Sequence, residues 1–228
     1  MSESKPAAML KPRTLPWLVA ALVLDVLLLA LATFPQAMTR LTPEAALSWR
    51  GALAALLPLP ALVLTAIPSG RWKYVLVFWR WSDPLPACRA FSVHAPADPR
   101  IDLDQLRRHV GTFPTEPRAQ NTRWYALYKD VESEPSVAES QRSFLLFRDL
   151  ATLSALLLVV VPALFWWWVH NAPGAKASAL LFLVQYLGAA LAARATAIRF
   201  VRNVLAIHSA RKVARGAPRK ARAPKDTP

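Results

Sequence analysis

The hydrophobic positions of this chain fall into four long runs separated by polar segments. The longest run, residues 150–169, has no charged residue. As a helix rising about 1.5 Å per residue, it would cross the roughly 30 Å hydrocarbon core of a bilayer. Residues 17–34, 51–67 and 177–193 form runs of similar length. The pattern predicts an all-α membrane protein with four transmembrane helices.

The polar segments differ in charge, and this difference gives the protein an orientation. Hydrophobic residues make up 54% of the 228 residues, and the formal net charge is +14. Ten Lys or Arg and one acid follow residue 193, whereas the connectors 36–50 and 171–176 carry two cations and one cation. Because cytoplasmic loops of membrane proteins collect Lys and Arg, both termini are predicted to be cytoplasmic. We place the multi-pass chain in the inner (plasma) membrane.

This topology divides the chain into five regions. Residues 1–15 are a cytoplasmic tail, and residues 16–67 form a transmembrane hairpin of helices 1 and 2. Residues 68–147 form a small, mainly helical cytoplasmic domain that includes an interfacial aromatic segment. Residues 148–209 form the hairpin of helices 3 and 4 with a cytoplasmic helical extension. Residues 210–228 are a disordered basic tail.

Two of the spans carry features that give them a direction or a bend. Trp166, Trp167 and Trp168 close the third span and resemble the aromatic belt of a membrane interface. Pro58 and Pro60 lie in the middle of the second span and remove two backbone donors. We therefore predict a kink there, in a helix that packs against neighbouring protein.

An acidic residue lies inside the first span. Asp25 is about 12 Å into a helix that enters from the cytoplasm, near the midplane, where an ionised carboxylate is costly. Gln185 and Tyr186 of the fourth span lie at a similar depth. We predict an intramembrane polar cluster in which Asp25 hydrogen-bonds Gln185 or Tyr186. Such a cluster would either fix helix packing or take an ion- or proton-linked role.

Residues 71–81 mix aromatic, cationic and aliphatic side chains after the second span. Their rings and cations fit an element lying at the level of the lipid headgroups. The alternation of Trp72, Tyr74 and Leu76 with the residues between them also suits a β-strand. A nucleotide-stacking platform could use the same groups, but aromatic belts are the commoner use in membrane proteins.

Helix signals recur within the cytoplasmic domain. Asp102 stands three residues before Gln105, a spacing that predicts an N-capped helix over residues 103–110. Glu116 and Pro117 predict a second helix that runs to residue 129.

The second of these helices carries groups suited to recognition. A phosphate-bearing ligand or a cytosolic protein could engage a candidate surface made of Arg118, Arg123, Trp124, Tyr128 and Lys129. Alternatively, Trp124 and Tyr128, four residues apart on one helical face, pack the small domain. The cations then face water or lipid headgroups.

A single long helix is predicted to start near residue 136 and to become the third span, because nothing breaks it before Pro162. A tight loop over residues 171–176, containing a proline and a glycine, then leads to the fourth span. The soluble domain would in this way be rigidly coupled to a membrane helix.

The fourth span contains the spacing Gly188-x-x-x-Ala192, which permits close helix approach. Beyond residue 194 the helix is expected to continue as an amphipathic cytoplasmic extension, with Ile198, Val201 and Leu205 on its apolar face.

The basic tail is predicted to bind anionic lipid headgroups, to which each nearby cation contributes about 1 kcal/mol. The cations assigned to this role are Arg211, Lys212, Arg215, Arg219, Lys220 and Arg222. Nucleic acid is the weaker alternative, since the tail is juxtamembrane and residues 69–147 carry eleven cations against nine acids.

Signals for catalysis are weak, and we predict neither an enzyme nor a cofactor or metal site. Cys88 and His94 could form a nucleophile and a base, but no third group orients them. Asp98, Asp102 and Asp104 could be a metal cluster, but they lack the ligand number and the glycine of a calcium loop. Capping and turn roles explain these acids better.

Three functions compete on these observations. The first is a membrane sensor or anchor that couples a cytoplasmic recognition domain to a four-helix membrane bundle. The second is an oligomeric channel or pore-forming effector, and the third is a small transporter. We favour the first, and we expect a homo-oligomer in contact with anionic lipid, with a cytosolic protein as a further candidate partner.

Overall fold

The computed structural model describes residues 11–33, 70–167 and 170–211. Within these ranges the chain is helical and contains no strand, so the all-α class is confirmed there. The predicted second span, with Pro58 and Pro60, lies outside the described residues, as does the basic tail beyond Arg211 with Lys212, Arg215, Arg219, Lys220 and Arg222.

In chain order the elements are α1 (Lys11–Thr33), α2 (Gly70–Phe78), a 3-10 turn (Pro86–Arg89), a π-helical turn (Ala90–His94), α3 (Leu103–Val110), α4 (Pro117–Asp130), α5 (Pro135–Trp167) and α6 (Ala172–Ala210).

Helices α5 and α6, of 33 and 39 residues, are long and apolar enough to cross a membrane. They coincide with the third and fourth predicted spans. The first predicted span falls on α1, in which the apolar stretch Leu15–Leu28 is shorter. Two helices of membrane-crossing length are thus present in the described part of the chain.

The single long element predicted from residue 136 is confirmed by α5. Pro162 lies inside this helix, and the helix continues beyond it to Trp167. A proline in a helix interior removes one backbone hydrogen bond. The polar first half and the apolar second half of α5 therefore form one continuous helix.

Two helices begin earlier than the sequence predicted. Asn171 Oδ1 accepts a hydrogen bond from Gly174 N at 2.9 Å, so Asn171 is the N-cap of α6, which begins at Ala172. Pro173 lies in the first turn, where a missing N–H has no helical partner to lose. The tight loop predicted over residues 171–176 is therefore wrong. The N-terminal tail is likewise helical from Lys11, because a helix can extend past its apolar run.

The strand alternative for residues 71–81 is wrong, because residues 70–78 form α2. A helix pairs its own backbone groups, whereas a strand needs a neighbouring strand, and the described ranges offer none. Trp72, Trp79 and Trp81 are exposed at this end of the molecule, and the rings of Trp72 and Trp81 meet edge to face at 5.5 Å.

We call residues 70–147 the cytoplasmic region after the location that the charge pattern predicts for them, and both helices predicted in this region are present. Asp102 caps α3, with Oδ1 accepting hydrogen bonds from Asp104 N and Gln105 N, each at 2.9 Å. Helix α4 begins at Pro117, as the Glu-Pro signal predicted, and ends at Asp130.

The hydrophobic core of residues 70–147, which we call the cytoplasmic core, is closed by the last helix. Buried residues of α3, α4 and the turns pack together with Phe200, Val201, Val204 and Leu205 of α6 and with Val137 of α5. Val201 and Leu205 of the predicted apolar face are therefore part of this core, whereas Ile198 is not. Residues 70–147 do not complete their hydrophobic core by themselves.

Alanines bring α5 and α6 close together. Ala189, Ala190 and Ala193 of α6 are buried in one cluster with Ala151 of α5. Gly188 is exposed, and a Cβ built on it would meet no atom within 4 Å. The close approach of these two helices therefore uses a different face of α6 from the one that contains Gly188.

Candidate functional site

A cavity of about 250 Å³ lies where the cytoplasmic region meets the long helices. Residues of α2, α4, α5 and α6 line it, and six of them are aromatic: Tyr74, Trp124, Tyr125, Tyr128, Phe144 and Phe200. Its α5 wall includes Leu145, five residues or about 7.5 Å of helix before the apolar run at residue 150. The cavity thus borders the segment that the sequence places at the membrane surface.

Three of these rings have a defined arrangement. Trp124 and Tyr128, one turn apart on α4, are nearly parallel, with an interplanar angle of 10° and centroids 5.8 Å apart. Phe200 of α6 meets both edge to face at 5.1 and 5.3 Å. Edge-to-face contacts place the positive ring edge against a negative ring face. This geometry fixes α4 against α6.

Hydrogen bonds join α4 to α6 and to α5. Trp124 Nε1 donates to the carbonyl oxygen of Val201 at 3.3 Å, and Tyr128 Oη donates to Gln141 Oε1 at 3.2 Å. Burial raises the pKa of the Tyr128 hydroxyl, and the bond to Gln141 partly opposes that rise. The hydroxyl is therefore protonated at neutral pH and serves as a donor.

The structure separates the five residues of the predicted recognition surface into two buried aromatic residues and three cations. Trp124 and Tyr128 are 6% and 7% exposed and belong to the cytoplasmic core, as the packing alternative predicted. Both also line the cavity, so they remain candidates for contact with a small ligand.

The three cations of that surface have separate partners. Arg118 is exposed, with Nε 3.9 Å from Asp83 Oδ1, and Arg123 donates to the carbonyl oxygen of Val110. Lys129 Nζ pairs with Glu132 at 2.9 Å, and this hydrogen bond raises the pKa of Lys129. The structure therefore does not bring the cations together around one phosphate-sized site.

A buried ion-pair cluster lies at the N-terminal end of the apolar part of α5. Asp149 Oδ1 accepts from Arg148 Nη2 at 2.8 Å and from Lys73 Nζ of α2 at 3.5 Å. The Arg148 guanidinium also lies 5.8 Å from the ring centroid of Tyr74, which lines the cavity. Charges in this position tie α2 to α5 beside the cavity.

The predicted contact within the apolar helices is present between Asp25 and Gln185. Gln185 Nε2 donates to Asp25 Oδ2 at 3.2 Å, and Asp25 is 5% exposed. Gln185 Oε1 is buried without a hydrogen-bond partner among the described groups. Tyr186 does not join this pair.

Tyr186 instead helps to cap α2. Its Oη donates to the carbonyl oxygen of Leu76 at 2.8 Å, and Arg194 Nε donates to that of Val77 at 2.6 Å. The last carbonyls of a helix lack partners within it, so these two side chains of α6 satisfy them. The Arg194 guanidinium also lies 3.5 Å from the ring centroid of Trp79. The depth of Tyr186 in the predicted span could not by itself distinguish this capping role from a place in the cluster around Asp25.

The other candidates for chemistry occupy inert surroundings. Among the described residues no three His, Cys, Asp or Glu side chains are grouped to hold a metal ion. Cys88 and His94 are both buried, and burial raises the pKa of the thiol and lowers that of His94 to about 4. A reactive cysteine needs a lowered pKa. Asp98 pairs with Arg100 at 2.7 Å, and Asp102 is the cap of α3.

Sequence reasoning missed the cavity because its walls are distant in sequence. Gln141 and Phe144 lie on α5, while Phe200 lies on α6. One signal in the sequence could have indicated this wall. Phe200, Val204 and His208 recur every four residues, which marks one buried face on a helix that otherwise carries several arginines.

Comparison with protein-family models, curated proteins and solved structures gives no match to this chain.

Proposed function

We propose that this protein is an integral sensor or anchor of the inner (plasma) membrane, in which a cytoplasmic recognition region is coupled to a four-helix membrane bundle. The observation that carries the proposal is the shared core, since Phe200 of α6 packs against Trp124 and Tyr128 of α4. Helix α6 is continuous from Ala172 to Ala210. A displacement of α4 would therefore act directly on a helix of membrane-crossing length.

Membrane insertion is supported by the side chains that α5 and α6 leave uncovered. Val159 and Trp167 of α5 are 69% and 72% exposed, and Leu180 and Val184 of α6 are 64% and 62% exposed. Soluble monomers seldom expose large contiguous apolar surface. Lipid is the environment that such surfaces fit. The four-span topology and the cytoplasmic termini rest on the hydropathy runs and on the positive-inside distribution of charge.

The ion-pair cluster supports coupling at a second point. Because Lys73 and Asp149 are both buried, separating α2 from α5 would break their ion pair in a poorly hydrated place, which is costly. Movement of α2 is thereby transferred to α5. Recognition at the cavity would reach the membrane through both long helices.

The coupling is testable with distance measurements on the full chain in lipid nanodiscs. Nitroxides would be attached at Trp166→Cys and Leu180→Cys, two exposed positions in the apolar halves of α5 and α6, in a Cys88→Ser background. We expect Phe200→Ala to shift or broaden the distance distribution between the labels. The matched control, Arg199→Ala, truncates an exposed side chain next to Phe200 on α6, outside the cavity lining, and should leave the distribution unchanged. An unchanged distribution with Phe200→Ala would contradict the proposal.

An oligomeric channel is the second candidate, and the Asp25–Gln185 contact favours it. A carboxylate paired with an amide inside apolar helices is the kind of group that marks ion pathways. Ion flux into liposomes that contain the purified protein tests this function. Asp25→Asn keeps an acceptor for Gln185 but removes the charge, so a channel should lose flux with Asn. A purely structural contact would tolerate Asn.

A further inference from the structure

The shape of the cavity favours a flat occupant. Six of its lining residues are aromatic, among them Trp124 and Tyr128, which stack on each other, and Phe200, which meets both rings edge to face. Flat molecules make close contact with the rings of an aromatic lining, whereas puckered or flexible ones touch them at fewer points. The volume of about 250 Å³ equals roughly eight water molecules at about 30 Å³ each, which is enough for two fused rings.

The polarity of the cavity favours an uncharged occupant. No charged side chain lines it among the described residues. An ionised ligand would therefore lose its hydration without gaining a partner. The amides of Asn121 and Gln141 are the polar side chains of the lining besides the tyrosine hydroxyls. Because Gln141 Oε1 already accepts from Tyr128, its Nε2 is the atom left to donate.

A path from the cytoplasm leads to this cavity. An open groove adjoins it and shares Tyr74 and Leu85 with its lining. The groove carries Arg71, Asp83 and Arg118, so it is polar where the cavity is apolar. A molecule arriving from water would leave the charged groove before it reached the rings.

We propose that the cavity binds a planar, uncharged ring molecule of about two fused rings that carries one hydrogen-bond acceptor, which Gln141 Nε2 would contact. This inference rests on the proposed function, because it names the class of molecule that the cytoplasmic region senses. A bound molecule would push α4, α5 and α6 apart at the shared core and so shift the positions of both long helices.

The test uses the full-length protein in lipid nanodiscs, with 6-fluoro-2-naphthol as the probe. Binding is followed by fluorine NMR as saturable broadening beyond that seen with empty nanodiscs. The competitors are 2-naphthol, its saturated analogue decahydro-2-naphthol, and the charged 2-naphthoate. We expect the saturated analogue to bind about three- to tenfold more weakly than 2-naphthol, the range of one stacking contact. 2-Naphthoate should compete more weakly still.

Two variants that fill the cavity locate the binding site, and each has a control variant at the adjacent residue. Leu145→Trp and Asn121→Phe add bulk at lining positions and should abolish the saturable broadening. Leu146→Trp and Thr122→Phe add the same bulk one residue further along the same helices, outside the lining, and should retain it. Gln141→Met should weaken 2-naphthol severalfold and leave naphthalene unchanged, because naphthalene accepts no such hydrogen bond.

Three results would overturn the inference. They are the absence of saturable broadening, its persistence in both filling variants, and equal competition by decahydro-2-naphthol or 2-naphthoate. Equal competition by the saturated analogue would indicate a site for flexible lipid chains instead. Binding is measured here without reference to helix movement. A negative result therefore leaves the nitroxide test intact, and a failed nitroxide test leaves the binding result intact.

Discussion

Phe200 joins the cytoplasmic core to the last long helix, so its truncation tests whether that core is shared. The residue is 8% exposed and contacts the rings of Trp124 and Tyr128. Removing a buried Phe ring costs about 3–5 kcal/mol, including the cavity it leaves. Because Phe200 already borders a cavity, its packing is incomplete on one side. We therefore expect Phe200→Ala to lower the stability of the cytoplasmic core by about 3 kcal/mol, the lower end of that range.

Hydrogen exchange measured by mass spectrometry in nanodiscs reports this loss locally. A 3 kcal/mol loss corresponds to roughly 100-fold faster exchange of amides that open with the core. We expect the acceleration in α3 and α4 as well as around residue 200, because these elements share one core. Arg199→Ala is the control, since Arg199 is exposed on the same helix, next to Phe200, and its truncation should change exchange little.

Which helices show faster amide exchange decides whether the core is shared. If exchange accelerates only within α6 while α3 and α4 keep their protection, the cytoplasmic helices do not depend on α6, and the reasoning fails. A loss below about 1 kcal/mol throughout would also refute it, because that is less than a buried ring contributes.

Three further predictions follow from individual contacts. Asp102→Ala removes the acceptor for two N–H groups of α3 and should destabilise that helix by about 1 kcal/mol, measured by exchange of its amides. Asp25→Leu should weaken the docking of α1 by about 0.6–2 kcal/mol, measured by cross-linking of α1 to α6 in nanodiscs. His94 has its pKa lowered to about 4, first by burial and then by Arg202 and Arg89. The unfolded chain binds the proton near pH 6.5 and the folded chain only near 4, so stability falls as the pH drops between these values, by up to about 3 kcal/mol.

Each of these predictions has a control and a contrary outcome. Asp102→Asn keeps a capping oxygen and should behave almost as the native chain, so equal losses with Ala and Asn would exclude the cap as the cause. Asp25→Asn should cross-link normally, and normal cross-linking with Leu would show that the contact does not hold α1. For His94, the thermal midpoint is compared at pH 7 and 4.5, and His94→Gln should flatten the difference. An unchanged pH dependence in that variant would assign the effect to other groups.

The positions of the helices were largely predictable because the signals for them are local. The cap at Asp102, the Glu-Pro start of α4 and the unbroken run through α5 depend on neighbours within one or two turns. The errors arose where a local signal has two meanings. Pro173 was interpreted as a loop residue, but a proline equally suits the first turn of a helix.

The candidate site was predicted only in part. Trp124 and Tyr128 were singled out, but their burial depends on the helix that covers them. The contact between Asp25 and Gln185 could be inferred because depth in a membrane limits the possible partners. Nothing comparable limits the partners of a side chain in the cytoplasmic region.

The sequence by itself determined the helical class, the two of its four apolar runs that coincide with helices long enough to cross a membrane, and the cap of α3 at Asp102. Backbone pairing and hydropathy are properties of contiguous segments, so a linear reading suffices for them. Only the tertiary structure decided that the end of α6 closes the cytoplasmic core and that a cavity remains between the helices. Trp124 and Val201 are 77 residues apart, and their contact depends on which faces pack together. That choice is made by the packing of several helices at once, and no single segment encodes it.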